Sequence, residues 1–561
     1  MRHQAELGDV DFITGDYLAE VNIAENAQAH AKGQHPGWEP TAWDGIEQSI
    51  DLLAKKRIKL IINGGAHNPK GLAEKVHDLV QSKSLSLTVA YVLGDNILPE
   101  VNTLISTTNS LPPHFDSSNP DVKYSERTLD LLQKNDKPIV SANVYLGARE
   151  IVKALEMGAD IIVAGRVADA SPVIGAAQFW FSKSSTAYDF LAGSLIAGHL
   201  IECSGYVTGA NFAGFDEYDF DTLIDIGFGI AEVESDGSCV VTKHGGRNGF
   251  VTEDTVKAQL LYELQGDIYL NSDVKAYLGN AKVKQVGKDR VRVTGITGHP
   301  PPPTTKLAIF YAAGYQSEIL LNATGYATAK KYDLYERMIR KGLQHHGIAD
   351  KFDILEFQRI GTPECNPRSQ LASTTYLRIF AETSDPTINL GLAALLGEYA
   401  MQHYSGFHST LDNRAAIPKP YLSKARIGNI VLARSGDKGA NANIGFFIPT
   451  SLPSSYPPSS PLYKETWDWL RSYLTVPRMV EMFADSWDPS YHIERVEFPG
   501  ILSVHFVVYG MLGRGVSGSA RLDGFAKGVG DWLRDCEGEI PVKFLQGRGY
   551  GGSIEDGRPK L

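Results

Sequence analysis

The amino-acid sequence predicts an α/β fold: a large body with a mostly parallel sheet and flanking helices, followed by a smaller C-terminal α+β domain. Two observations lead to this prediction. Through the first third of the 561 residues, strand-like apolar runs alternate with helical segments, which indicates parallel pairing through crossovers. After residue 424 the predicted elements follow in the order ββαββα, which is typical of a two-layer α+β domain.

The elements of the first third have local causes. Asn68-Pro69 combines a favoured helix cap with proline at the first helical position, so a helix is expected to begin there. Gly158 ends the helix predicted over residues 147–157. The predicted strands cover residues 10–14, 59–62, 87–93, 138–142 and 160–164.

Polar side chains follow these strands. Because the carboxyl ends of parallel strands meet at one edge of a sheet, ligands tend to bind there. Asp and Asn are also common caps and turn formers, whereas Arg166 is not a capping residue. We interpret Asp16, Glu20 and Asp169 as acid–base candidates and Arg166 as a partner for an oxyanion or carboxylate. The strand-end set also includes Asn63 and Asn143.

A helix predicted over residues 188–203 carries His199 and Cys203 on one face. This spacing leaves two readings open. A cysteine beside a histidine can act as nucleophile and base, which would make the protein a Cys/His hydrolase. A buried cysteine beside a hydrogen-bonded histidine is the commoner arrangement. We retain His199 as a weaker acid–base candidate.

The C-terminal part begins after a linker predicted over residues 413–425. Two β-rich runs, 427–433 and 442–448, flank a predicted loop in which glycines accompany Arg434, Lys438, Asn441 and Asn443. Cations and amides on a glycine-rich backbone suit a carboxylate or a phosphate. Helices are predicted over residues 464–484 and 519–536, and strands over 492–498 and 502–509. The stretch 306–410 between the two parts is predicted to be α/β.

Composition and motifs exclude several classes of protein. The chain has 65 acidic and 54 basic side chains, a net charge of −11 and no basic block, which argues against nucleic-acid binding. We find no signal peptide and no apolar run long enough to span a membrane, and the four cysteines are widely separated, so a reducing cytoplasm is expected. Residues 513–518 and 547–552 match GxGxxG without the βαβ unit that a dinucleotide site requires. We therefore predict neither a metal site nor a nicotinamide cofactor.

Several motifs occur together along the chain. They are DFITGDYLAE at residues 11–20, ANVYLG at 142–147, GRVADAS at 165–171, VTEDTV at 251–256, QLLYE at 259–263, PPPPT at 300–304 and ARSGDKGANAN at 433–443. With these motifs the chain resembles the acyclic terpene utilisation AtuA family, and the last motif resembles the family's ferredoxin-like domain. The resemblance implies an α/β domain over residues 1–412, a ferredoxin-like domain over 424–540 and a tail over 541–561. It also implies a further strand and a glycine-rich turn before Gln4, so the chain is expected to begin within the first unit.

The resemblance implies a cytoplasmic enzyme acting on a branched or oxygenated acyl or carboxylic substrate, including coenzyme A thioesters, by lyase or hydratase chemistry. Coenzyme A would be part of the substrate, and no other cofactor is predicted. A protein of this size is expected to form a homo-oligomer, with no membrane or nucleic-acid partner. A third reading is a non-catalytic protein that binds an acyl ligand for a partner enzyme. The expected catalytic residues are Asp16, Glu20, Arg166, Asp169 and His199; the expected substrate-binding residues are Asn63, Asn143, Ser171, Arg434, Ser435, Asp437, Lys438, Asn441 and Asn443.

Overall fold

A computed structural model describes most of the chain. The described residues are 1–108, 114, 118–123, 138–364, 366–399, 401–409, 430–450, 459–513, 515, 523, 525–534, 536 and 544. The predicted linker 413–425, the second GxGxxG string and all of the predicted tail except Phe544 lie outside them. The chain forms two compact units, one of Met1–Tyr311 with Ala425–Leu561 and one of Ala312–Lys424. We call these the larger unit and the smaller unit.

The N-terminal part of the larger unit holds the predicted parallel sheet. Its four strands lie in the order β1-β2-β5-β3 and all of them pair in parallel. The strands of this part are β1 (Phe12–Gly15), β2 (Lys59–Ile62), β3 (Val89–Val92), β4 (Ile139–Val144) and β5 (Ile161–Ala164). The helices are α1 (Arg2–Leu7), α2 (Glu20–Ala31), α3 (Pro40–Lys56), α4 (Pro69–Ser82), α5 (Leu98–Thr108), α6 (Arg149–Glu156), α7 (Ser171–Trp180) and α8 (Tyr188–Glu202).

Local signals place several of these elements. The Asn68 side chain accepts a hydrogen bond of 3.0 Å from the Gly71 N–H, so the predicted cap of α4 is confirmed. The outer surface of α3 is polar, while Ile46, Ile50 and Leu53 are fully buried against the sheet. Helix α8 is buried along almost its whole length, which explains why small and apolar residues dominate it.

The prediction of a mostly parallel body is only partly right. Strand β4 was expected in the parallel sheet, but it pairs antiparallel with β13 (Leu307–Tyr311). The other described sheets are also antiparallel. The further strands of this unit are β6 (Gly229–Val233), β7 (Cys239–Lys243), β8 (Ile268–Leu270), β9 (Lys275–Tyr277), β10 (Lys282–Gly287), β11 (Arg290–Thr294) and β12 (Thr297–His299), with one helix, α9 (Glu253–Leu260), capped by Thr252.

The smaller unit contains a four-stranded antiparallel sheet and two helices, rather than an arrangement of parallel strands. Its strands lie in the order β15-β16-β14-β17, and its core includes Leu377, Ile379 and Ile339. The elements are β14 (Tyr315–Thr324), α10 (Thr328–His345), β15 (Ile354–Ile360), β16 (Thr374–Thr383), α11 (Pro386–Glu398) and β17 (Phe407–Ser409).

The C-terminal part of the larger unit has the predicted ββαββ order, with one correction. The helix predicted over 464–484 is two helices, because Thr475 caps a new start and Pro477 follows it. The sheet is antiparallel with strand order β18-β19-β21-β20. The elements are β18 (Leu432–Lys438), β19 (Asn441–Phe447), α12 (Pro461–Tyr473), α13 (Val476–Phe483), β20 (His492–Phe498), β21 (Ser503–Tyr509) and α14 (Val529–Arg534). None of the described helices combines the length and the apolar character needed to cross a bilayer.

Candidate functional site

A cavity of about 470 Å³ lies in the larger unit. Its walls come from β1, α7, α8 and β6 and include Phe12, Val173, Ala177, Ile201 and Phe228. The residues that line it include six acids and, among the described residues, no Lys, Arg or His; the acids are Asp9, Asp11, Asp16, Asp169, Glu202 and Glu232. Such walls favour an apolar chain with an uncharged polar group and oppose entry of a free carboxylate.

Asp16 stands directly after β1 and beside the end of β2. Its carboxylate accepts hydrogen bonds from the Asn63 side-chain amide and, at 3.3 Å, from the Leu18 N–H. Asn63 in turn accepts from the Tyr17 N–H at 2.7 Å, so parallel pairing of β1 with β2 fixes both side chains. Burial and the negative charge of Asp169 together raise the pKa of Asp16 to about 6, against the opposing effect of Arg166.

Arg166 follows β5 and is only 2% exposed. Its guanidinium donates to the Leu18 carbonyl and to the Asp169 carboxylate, and it lies 4.0 Å from the centre of the Tyr145 ring. Its backbone N–H donates to Asp95 at 2.9 Å. Burial opposes ionisation of Asp169, but the charges of Arg166 and Lys438 outweigh it and lower the pKa of Asp169. Asp169 therefore remains an anion beside a fixed cation.

Glu20, Tyr145 and Lys306 form a second group next to Arg166. Glu20 Oε1 accepts from the Tyr145 hydroxyl at 2.9 Å and from Lys306 Nζ at 2.8 Å. Burial opposes ionisation of Glu20, yet the charges of Lys306, Lys438 and Arg166 together lower its pKa. Strand β4 carries Tyr145 just past its end, and its partner β13 follows Lys306, so the antiparallel pair brings this group together.

The segment predicted as a loop over 434–443 is a tight β-hairpin. Strands β18 and β19 run to Lys438 and from Asn441, so only Gly439 and Ala440 form the turn, and Gly439 has a φ of 62°. The hairpin reaches the strand-end acids: Lys438 Nζ lies 3.3 Å from Glu263 Oε2 and 4.0 Å from Asp169 Oδ2. We use the term ionic cluster for Asp16, Glu20, Arg166, Asp169, Glu263, Lys306 and Lys438.

Asp437 lies on the same hairpin and is 7% exposed. Burial and the negative charges of Glu263 and Glu20 together raise its pKa to about 7, against the opposing effect of Lys438. The structure thus brings five predicted residues, Asp16, Glu20, Arg166, Asp169 and Lys438, into the ionic cluster and places Asp437 close to it. Asn63 supports Asp16 from behind.

The other residues predicted to bind substrate hold the framework together. Asn143 donates to Asp95 at 2.8 Å, and Ser171 lies at the start of α7, 3.4 Å from Asp273. Ser435 accepts from the Gly530 N–H at 2.7 Å. Asn441 and Asn443 accept backbone N–H groups of Gly510 and Glu263, both at 3.1 Å. Their amides and hydroxyls therefore orient backbone and neighbouring side chains.

Arg434 is buried between two aromatic rings. Its guanidinium lies 4.4 Å from the ring centres of Tyr206 and Tyr262 and donates to the Asn211 carbonyl at 2.9 Å. The stacking links the hairpin to segments on both sides of α9, which explains why a cation is tolerated here at 4% exposure. Its predicted role in substrate binding remains a prediction.

His199 and Cys203 do not form a nucleophile–base pair. His199 Nδ1 is 3.0 Å from Glu202 Oε1 and Nε2 is 3.3 Å from the Leu260 carbonyl oxygen, so both ring nitrogens face partners other than the cysteine. Burial raises the pKa of Cys203 well above that of a free thiol, and the charge of Glu202 adds to the effect. The geometry thus favours a buried, unreactive thiol over a hydrolase nucleophile.

Four residues near this site were missed by reasoning from the sequence. Glu202 stands three residues after His199 on α8, a spacing that predicts contact between the two side chains. Tyr145, Glu263 and Lys306 gave no such signal, because their partners are distant in sequence and are brought near by sheet pairing and by the hairpin. Among the described residues, no three His, Cys, Asp or Glu side chains form a group that could hold a metal ion.

Two family models match the chain. Residues 1–428 match the model described as acyclic terpene utilisation family protein AtuA, and residues 425–539 match the AtuA ferredoxin-like domain. No curated protein and no solved structure shows a significant match to the chain.

Proposed function

The chain belongs to the acyclic terpene utilisation AtuA family, and from that premise we propose that it is an enzyme that acts on a branched, oxygenated acyl compound by acid–base lyase or hydratase chemistry. Family membership suggests a role in terpene metabolism. The observation that supports the chemistry is the position of Asp16 and Asp169, which belong both to the wall of the cavity and to the ionic cluster.

The cavity and the ionic cluster suit the two ends of such a substrate. The branched hydrocarbon chain lies in the cavity, against apolar lining residues such as Phe12, Val173 and Phe228. The acidic end, a carboxylate or the phosphates of a coenzyme A thioester, stays on the side of Lys306 and Lys438, whose side chains are 32% and 26% exposed. The oxygenated carbon then lies between them, next to Asp16 and Asp169.

Asp16 is the proton donor in this proposal. Its raised pKa of about 6 keeps a fraction of the carboxyl protonated near neutral pH, and this form can give its proton to a leaving hydroxyl group. Asp169 does not compete for that proton, because its carboxylate is engaged by Arg166 and faces Lys438. Its fixed charge instead raises the pKa of Asp16.

The proposal is tested by incubating the full chain with coenzyme A thioesters and free acids that have straight or branched chains of four to ten carbons and a hydroxyl group or a double bond near the carbonyl. Mass spectrometry would detect gain or loss of water and cleavage of carbon–carbon bonds. We expect turnover with at least one branched thioester. Stoichiometric binding without any chemical change would instead support the reading of a non-catalytic acyl-binding protein.

A larger side chain in the cavity should make the enzyme prefer substrates with shorter acyl chains. Ala177 lines the cavity from α7, so Ala177→Leu places three additional carbons there. Displacing two or three methylene groups of the substrate costs about 2 kcal/mol at about 0.8 kcal/mol each, or roughly 30-fold. We expect KM for a ten-carbon substrate to rise by about that factor, and KM for a four-carbon substrate to change less than about twofold, in steady-state assays.

Ala177→Ser is the matched control, because it changes the same position with almost no change in volume. It should keep the chain-length preference of the wild type. An equal rise in KM for short and long substrates in the leucine variant would show that the acyl chain binds outside the cavity.

A Cys/His hydrolase would lose its activity when Cys203 is replaced, whereas the enzyme proposed here would not. Since the thiol is buried and His199 faces Glu202, we expect Cys203→Ser to keep turnover within about twofold and thiol alkylation to have no effect. The assay is the same thioester panel. A 100-fold or larger loss of turnover in the serine variant, with its melting temperature unchanged, would support Cys203 as the nucleophile of a hydrolase.

A further inference from the structure

His199 and Glu202 form a buried pair on the last turn of α8. The side chain of His199 is fully buried and that of Glu202 is 6% exposed. His199 Nδ1 lies 3.0 Å from Glu202 Oε1, and Nε2 lies 3.3 Å from the carbonyl oxygen of Leu260. The ring of Tyr269 packs edge-on against the imidazole with 5.3 Å between centres. The histidine is therefore held on three sides.

These contacts fix the number of protons on the pair. A carbonyl oxygen only accepts hydrogen bonds, so Nε2 carries a proton. A second proton must then lie between Nδ1 and Glu202 Oε1, because a bare Nδ1 facing a bare carboxylate oxygen would leave two acceptors in contact inside the protein. The pair thus has either an imidazolium with a carboxylate or a neutral histidine with a carboxylic acid.

The other oxygen of Glu202 has no hydrogen-bond partner in the part of the chain that the structure describes. Glu202 Oε2 is buried and makes no hydrogen bond to the described residues, and Glu202 is among the residues that line the cavity. Asp169 lines the same cavity, but its two oxygens face Arg166 and Lys438. A buried carboxylate oxygen without a donor is costly unless it serves a ligand or a proton.

We propose that Glu202, held by His199, is the proton acceptor that complements Asp16 in the same site, an inference that rests on the proposed function. For a substrate with a hydroxyl group two carbons from the acyl carbonyl, Glu202 Oε2 takes a proton from the carbon between them. The electron pair of that C–H bond is first held on the acyl group as an enolate. It then forms the new double bond as the C–O bond breaks and Asp16 gives its proton to the departing oxygen, so water leaves. Hydration is the reverse sequence.

The groups around the pair raise the pKa of both of its members. Burial, with the negative charges of Asp169 and Glu263, raises the pKa of Glu202 to about 7 against the opposing effect of His199. For His199, burial lowers the pKa, but the hydrogen bond and charge of Glu202 and the charge of Glu263 outweigh it, with Lys438 opposing, so the pKa is raised. The other titratable neighbours are Tyr269 and, next in the chain, Cys203, whose thiol stays protonated.

Deuterium exchange tests the inference directly. The substrate is a hydroxyacyl thioester from the panel. In heavy water the wild type should replace the hydrogen on the carbon next to its carbonyl with deuterium, and proton NMR would detect the loss of that signal. Asp16→Asn should retain this exchange while losing at least 100-fold in elimination of water, because the base is intact and the acid is absent. Glu202→Gln should lose at least 100-fold in both exchange and elimination, and Glu202→Asp should recover part of the exchange.

Nitrogen NMR of His199, assigned by comparison with His199→Asn, provides a readout that does not depend on turnover. At neutral pH the wild-type ring should be an imidazolium or share its Nδ1 proton with Glu202, and Glu202→Gln should convert it to the neutral Nε2–H form. Wild-type turnover together with undiminished exchange in Glu202→Gln, or a neutral His199 that Glu202→Gln leaves unchanged, would overturn the role of Glu202 alone. Absence of both turnover and exchange in the wild type across the panel would overturn the proposed function itself.

Discussion

Asp16→Asn is expected to lower kcat for elimination or addition of water by about 100- to 10,000-fold, the usual contribution of a positioned acid–base group. The asparagine oxygen can still accept from the Asn63 amide and the Leu18 N–H, so the loss reports the missing proton rather than a collapsed site. KM should change less than about threefold, because asparagine has nearly the size of aspartate and the apolar residues of the cavity wall are unchanged. Steady-state kinetics on the best substrate of the panel measures both quantities.

The same variant has a signed effect on stability. The folded pKa of Asp16, about 6, is above its ordinary value of 3.8 because of burial and the charge of Asp169, so the folded state favours the protonated form. The wild type should therefore lose stability as the pH rises from about 4 through about 6. Asp16→Asn should not show this loss, because its side chain does not ionise. Melting temperatures of the two proteins across this range should differ most above pH 6, with the variant higher. A variant that is less stable at pH 7 and equally active would place Asp16 in a purely structural role.

The strands of the parallel sheet were predictable because each is a short apolar run ended by Gly or Asn. Strand β2 was predicted with its exact bounds of Lys59–Ile62, and the observed β5, Ile161–Ala164, starts one residue after the predicted 160. The pairing of β4 was not predictable, since its partner β13 comes from a segment far along the chain and a run of apolar residues does not reveal which strand it meets. Long-range antiparallel pairing therefore accounts for the main error in the fold class.

The hairpin shows a different limit. Its glycines, asparagines and charges indicate a loop by local preference, yet tertiary contacts favour extended strands. Asn441 and Asn443 are tolerated in β19 because backbone N–H groups of Gly510 and Glu263 satisfy their side chains. The residue chemistry predicted Lys438 and Asp169 as site residues but did not predict that they meet, because the contact depends on packing of the C-terminal sheet against the region around α9 that only the structure displays.

Arg166→Met is expected to destabilise the larger unit by about 3–5 kcal/mol and to abolish turnover, because it leaves buried anions without their cation. A role in catalysis alone, as expected from the sequence, would let substitution of Arg166 remove activity and spare stability. The structure changes that expectation: the guanidinium is 2% exposed, bridges the Leu18 carbonyl and Asp169, and lies against Tyr145. Denaturant unfolding followed by tryptophan fluorescence measures the effect.

A double-mutant cycle separates the buried ion pair from simple loss of packing. Asp169→Asn combined with Arg166→Met removes the stranded charge, so the double variant should be more stable than Arg166→Met alone. Arg166→Lys keeps the charge but cannot bridge both acceptors with a planar fork, so it should fall between the wild type and the methionine variant in stability. If the stability losses of the two single variants simply add in the double variant, Arg166 stabilises the fold through its volume. Another group would then have to stabilise the ionised form of Asp169.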